Sequence, residues 1–201
     1  KKLHTLPTMP TAIPYITSYY KKDWGFCLNH NDFKKLKKGK YKVLINSTLK
    51  NGELIYSDTL IPGKTKKEIL ISTYLCHPQM ANHELSGPLV WSMLYRILKN
   101  TGPHEYTYRF LICPENIGAA AFLHKNKKNI KNIKAGFVIN CVGHGNEINY
   151  KKSRQGNTLS DRAALNVIKN SKYKFYIEDF EPLGSDERQF CSPGFNMPIG
   201  L

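Results

Sequence analysis

The sequence predicts an α/β domain with a largely parallel sheet, accompanied by a small β-rich lobe near its start. Three observations carry this. From residue 68 onward, strand-like apolar runs alternate with helix-length amphipathic stretches, the pattern of strand–helix–strand units. The first such strand, "EILISTYLC" (68–76), is a nearly continuous apolar run, as in a strand buried on both faces. Ahead of it, two strand-like runs meet at Asn51-Gly52, a strong hairpin signal.

Residues 1–20 carry three prolines among hydroxyl residues and read as extended chain. "YKVLINSTL" (41–49) and "ELIYSDTLI" (53–61) form the expected hairpin, so the lobe is drawn at 21–64 and the α/β domain at 1–20 and 65–201. After strand 68–76, "LVWSMLYRIL" (89–98) is helical. "YRFLICP" (108–114) is a strand and "IGAAAFLHK" (117–125) a helix. "AGFVINCVG" (135–143) is a strand, and "SDRAALNVIKN" (160–170) a helix with Ser160 as N-cap. "KFYIEDF" (174–180) and "MPIGL" (197–201) are further strands. No helix follows the last strand, which suggests a fragment or a shortened relative of something longer.

The 201 residues suffice for one real core, and 41% hydrophobic content excludes a disordered chain. No apolar stretch approaches the length of a membrane helix, and "KKLHTLPTMP" lacks the apolar segment of a secretory leader. The five cysteines are unclustered, and Cys76, Cys113 and Cys141 each end an apolar run. They read as buried, reduced thiols of a cytoplasmic protein. The net charge of +15 raises nucleic acid as a partner. The excess is spread-out lysine, however, and arginine, which best reads bases or clamps phosphates, is scarce. A solvated basic surface is therefore preferred.

The residues able to carry chemistry follow strand ends, where active sites of open parallel sheets gather. His77 follows strand 68–76, with His83 and Glu84 in the same loop. Glu115 follows strand 108–114 and His144 follows strand 135–143. Asp186 and Glu187 precede the last strand. Imidazoles and carboxylates together suit zinc, which activates water while a free carboxylate takes its proton. Each residue also has a plainer reading: a surface histidine in a loop, a turn cap at Asp186, or a carboxylate near a helix start at Glu115. Their shared position at strand ends is what favours a site.

Four blocks, "CHPQMANHELSGP", "CPENIGAAAF", "NCVGHG…YKKSR" and "GSDERQFCSPGFNMPIGL", together with "IPYITSYY" and "WGFC", resemble an aminopeptidase-like family related to the zinc-dependent aminopeptidases. The resemblance covers nearly the whole chain. It implies a three-layer zinc-exopeptidase-like fold with a mostly parallel mixed sheet, an inserted small β-subdomain, and up to two zinc ions. By the same resemblance, His77 falls at the first histidine ligand, and His83 falls where a zinc-bridging aspartate would stand. Glu115 falls at the general base and Asn116 at a second glutamate ligand. His144 stands where related chains have Gly-Asp, and Asp186 lies in the Ser-Asp block. The family's final histidine ligand would fall beyond Leu201. A neutral imidazole at position 83 cannot bridge two cations, so one zinc is favoured over two.

The expected function is a zinc-dependent, aminopeptidase-like hydrolase of a small peptide or amide, active or degenerate. Its metal ligands are drawn from His77, His83, Glu115, His144 and Asp186, with Glu115 as base. A non-catalytic ligand-binding module is the alternative, and a lysine-rich nucleic-acid binder the third reading.

Overall fold

The computed structural model describes residues 2–16, 21–77, 80–145 and 147–201. The chain divides into two compact units, Lys1–Gly52 and Glu53–Leu201.

In the first unit, strand β1 (Leu3–His4) pairs in parallel with β2 (Phe26–Cys27), and helix α1 (His30–Lys35) follows. Asn29 caps α1 by accepting the Asp32 N–H. The expected strand over 41–49 is not formed, and residues 40–56 carry no helix or strand. Leu44, Leu49 and Ile55 stay exposed. An apolar hairpin with no third strand or helix to cover it is only marginally stable.

The second unit holds a five-stranded sheet. Its strands are β3 (Ser57–Ile61), β4 (Glu68–Tyr74), β5 (Thr107–Cys113), β6 (Ile133–Val138) and β9 (Ile199–Gly200), in the order β3-β5-β4-β6-β9. All pairs are parallel except β3–β5. The 53–61 run thus supplies an edge strand of the main sheet instead of one arm of a separate hairpin, and the unit boundary falls at Gly52. Arg109 on β5 holds this edge. It donates to Asp58 on β3 at 2.7 Å and to Glu68 on β4 at 2.6 Å.

Side chains of β4 and β5 alternate between the two faces. Ile71 and Phe110 pack against Trp91 of helix α2 (Gly87–Asn100). Leu70 and Leu111 join Ala119 and Phe122 of α3 (Ile117–Lys125) and Phe190 of the short α5 (Glu187–Phe190). Helices on both faces of one sheet give three layers. Helix α4 (Leu159–Lys169) starts at Thr158, not at Ser160: Thr158 and Asp161 form a reciprocal capping box. Ser160 instead accepts the Gly136 N–H and donates to the Pro198 carbonyl. Strands β7 (Glu147–Lys151) and β8 (Lys174–Glu178) form a parallel pair. Lys151 and Leu201 exchange two backbone hydrogen bonds. Among the described residues no helix is long and apolar enough to cross a membrane.

Candidate metal centre

The topology places the site. From central β4 the chain passes through α2 to β5 on one side, then through α3 to β6 on the other. The carboxyl end of β4 is therefore a switch point of the winding, where such sheets open a crevice. Cys76 and His77 stand just past that end. Asn82–Ser86 forms a π-helical turn leading into α2, a widened turn that often marks functional sites. A side chain at Gly87 would overlap the Ile139 carbonyl and Thr73 Oγ1, so only glycine lets the helix start this close to the sheet. Asn82 ties this turn to the loop after β6, accepting the Gly143 N–H at 2.9 Å.

Glu84 is the centre of the loop, with only 4% of its surface exposed. It accepts the Cys76 backbone N–H, His77 Nδ1 at 2.8 Å and His83 Nδ1 at 3.1 Å. Burial opposes its charge, but hydrogen bonds from Cys76 and both imidazoles outweigh it and hold the carboxyl below its ordinary value. One carboxylate that accepts from both Nδ1 atoms places the proton there and leaves each Nε2 unprotonated. His77 Nε2 faces Glu115 Oε2 at 3.6 Å, and His83 Nε2 lies 3.0 Å from the Tyr74 hydroxyl.

Glu115 is aimed by its backbone. Asn116 has φ 60° and ψ −60°, and Ile117 N–H bonds to the Glu115 carbonyl at 2.6 Å. This is a γ-turn in the rare positive-φ form, a strain of about 1–3 kcal/mol. Three contacts hold it. Asn116 N–H donates to Asp186 Oδ1 at 2.6 Å, Gln189 reaches the Asn116 side chain at 3.3 Å, and Glu115 N–H donates to Cys76 Sγ at 3.1 Å.

Of the residues expected at a metal, the structure brings together His77, His83 and Glu115. Each offers a ligand atom within 4.8 Å of the others. Among the described residues no such cluster includes Asp186 or His144. Asp186 is fully buried behind Glu115, with its second oxygen 3.6 Å from the Cys113 thiol. Burial above all, with the nearby charges of Glu115 and Glu187, pushes its carboxyl up to about 7, against the pull of the Asn116 N–H. His144 is exposed in the turn after β6. Glu84 is buried within the loop, while Cys76 and Cys141, expected to be buried, are exposed. Tyr74 and Asn82 were not expected at the site. The signal for Glu84 was its place beside His83 in a loop with no other acid.

A zinc ion fits this donor set. Two nitrogen or oxygen ligands on one tetrahedral zinc stand about 3.3–3.6 Å apart. His77 Nε2 and Glu115 Oε2, at 3.6 Å, leave room for an ion on the imidazole with the carboxylate beside it, whereas His77 Nδ1 and Glu84 Oε1, at 2.8 Å, are hydrogen-bonded. A bridged pair of ions does not fit. Position 83, where a carboxylate would span two ions, holds an imidazole, and each ring nitrogen offers one lone pair to one ion.

The comparisons agree with this fold. A family model described as a domain of unknown function, DUF4910, matches residues 5–201. A Clostridium acetobutylicum protein is 43% identical over 198 residues and carries the provisional name of a polysaccharide biosynthesis protein with an aminopeptidase-like domain. A crystal structure from the same organism, provisionally called a peptidase, superposes with a TM-score of 0.95 at 43% identity and over 99% of this chain. The chain spans 45% of the former and 47% of the latter, less than half of either. A Zn-dependent exopeptidase from Parabacteroides distasonis shares the fold over 73% of this chain and 62% of its own length, with a TM-score of 0.51 at 13% identity. An Acidobacteriales glutaminyl cyclase does so over 73% and 57%, with a TM-score of 0.54 at 14% identity. The match over residues 5–201 and the shared architecture make this chain a member of the DUF4910 family, built on an aminopeptidase-like fold.

Proposed function

We propose that the Glu53–Leu201 unit carries a single-metal hydrolytic centre of the aminopeptidase type, acting on a small peptide or amide. The observation that carries this reading is the convergence of His77, His83 and Glu115 at the carboxyl end of β4, with Glu84 behind both imidazoles. His77 and His83 would hold a zinc ion, with Glu115 beside it. When bound, zinc supplies a Lewis acid for the scissile carbonyl and for water.

The chain supplies the rest. Glu84 keeps both rings in the tautomer that presents Nε2. Glu115, held by the γ-turn, takes the proton of the attacking water and returns it to the leaving amine. Asp186 fixes the turn from behind. The test is metal analysis of protein purified without a His-tag, together with aminopeptidase assays. About one zinc per chain, lost in His77→Ala, and a rate that collapses in Glu115→Gln with zinc retained are expected. Full metal-free behaviour with no hydrolysis would overturn the reading.

One observation favours a non-catalytic ligand-binding module instead. Asn116 stands where the resemblance expects a second glutamate ligand, and its side chain is engaged by Gln189. Zinc binding without turnover of any aminoacyl substrate would select that alternative.

A further inference from the structure

We propose that Cys76, the Nδ1 nitrogen of His77 and Glu84 form a second metal site, for a soft divalent cation such as cadmium or excess zinc, that competes with the hydrolytic centre for the same imidazole. The competition rests on the single-ion reading above, because it requires His77 Nε2 to serve the other ion.

The three side chains each offer a ligand atom within 4.8 Å of the others. Cys76 Sγ lies 3.3 Å from His77 Nδ1. A zinc-bound sulfur and nitrogen stand about 3.6 Å apart, from bond lengths of about 2.3 and 2.0–2.1 Å. The pair is therefore within a few tenths of an ångström of ligand spacing. Sγ also accepts the Glu115 N–H at 3.1 Å, a bond that strengthens when sulfur becomes anionic. Glu84 Oε1, at 2.8 Å from Nδ1, would draw back by about half an ångström to reach ligand spacing. Cys76 is exposed, so an ion can reach it from solvent. A thiolate in the donor set selects soft cations over magnesium, calcium or manganese. None of the three donors repeats the His83–Glu115 pair, and they use the opposite nitrogen of the shared ring.

The two sites are linked by proton placement. While His77 donates to Glu84, its proton is on Nδ1 and Nε2 has the free lone pair. A soft ion entering at Cys76 displaces the thiol proton to solvent and forms a sulfur–metal bond. Coordination through Nδ1 moves the ring proton to Nε2, and the ring stays neutral. Nε2 then points an N–H at Glu115 Oε2, 3.6 Å away, and has no lone pair for the hydrolytic ion. One proton leaves per soft ion bound, and the hydrolytic ion loses a ligand.

The experiment is a cadmium chloride titration of the metal-free full chain, followed by the ultraviolet sulfur-to-metal charge-transfer band and by proton release. Wild type should develop the band to one equivalent with about one proton released per ion. Cys76→Ser should lose the band and weaken cadmium binding at least as much as loss of an outer-shell partner does, about 10–100-fold, with the wild-type circular dichroism spectrum kept. Cys141→Ser, which alters the other exposed thiol, should keep the band. In protein first loaded with one zinc, cadmium should release that zinc from wild type but not from Cys76→Ser. A band that survives Cys76→Ser, or a zinc-loaded wild type that keeps its zinc beside a saturated cadmium band, overturns the proposal while leaving the hydrolytic reading intact. A chain that binds no zinc but shows the Cys76-dependent band overturns the hydrolytic reading and keeps the thiolate site.

Discussion

Asp186 receives the backbone N–H of Asn116 across 2.6 Å, seventy residues away in sequence. A buried carboxyl at the start of α5 thus fixes the backbone turn that aims Glu115 at the start of α3. Its folded-state value near 7 lies above the ordinary 3.8, so the folded chain holds this proton more tightly than the unfolded chain. The stability it adds is complete below about pH 4 and is lost as pH rises through 7. The ceiling is about 4 kcal/mol for a shift of some three units. Urea unfolding of the metal-free chain should show wild type losing stability relative to Asp186→Asn between pH 5 and 8. Equal pH slopes for the two would contradict it.

Asp161 behaves in the opposite sense. Its carboxylate is fully buried and accepts from Ser153 N–H at 2.7 Å, Ser153 Oγ at 2.6 Å, Thr158 N–H and Oγ1 at 2.7 Å each, and the Tyr150 hydroxyl at 3.0 Å. Burial raises its value, but these donors outweigh it and leave it depressed. The stability it adds is present above the ordinary carboxyl range and disappears as pH falls below it. Asp161→Ala should cost roughly 3–5 kcal/mol at pH 7, because it orphans several buried donors. The deficit should shrink toward pH 3, as thermal melts at the two pH values can show.

Glu84→Gln tests the support of the two imidazoles. The amide can still meet the Cys76 N–H but no longer accepts both rings as an anion. Zinc affinity should fall about 10–100-fold, the usual cost of losing an outer-shell carboxylate. Calorimetric titration at matched pH gives the comparison. His124→Ala, at an exposed position on α3, should change nothing.

Arg109→Ala should cost about 3–5 kcal/mol, since it strands Glu68 in the sheet interior. Replacing Arg109 by Met together with Glu68 by Leu should recover most of that. A denaturant series on the single and double variants settles it, and a double variant no better than the single would refute the stranded-charge account.

Much of the sheet could be read from periodicity. The runs at 68–76, 108–114 and 117–125 became β4, β5 and α3 within two residues, because buried parallel strands and their helices carry dense apolar patterns. The 41–49 run failed for a physical reason: alternation marks a face that could be buried, not a surface that buries it. His77 and Glu115 could be placed from their strand ends. Asp186 could not, since its burial depends on helix packing that no local pattern records. Glu84 was hidden by the π-turn, which shifts which residue points inward by one position and cannot be seen in residue spacing.

Strand β4 has a bonded neighbour along both edges, and Ser72 and Thr73 are wholly enclosed. Its amide protons can meet solvent only when the sheet as a whole comes apart, so their exchange rates count global openings. Leu75, one residue on, keeps a single bond to the Cys113 carbonyl at 3.2 Å. Between Thr73 and His77 the chain therefore passes from amides locked in the sheet to faster ones, each held by a single bond at its end that a local opening can break. An ion gripping His77 would slow the fast side alone, and deuterium uptake across those five residues would register occupancy with no substrate present.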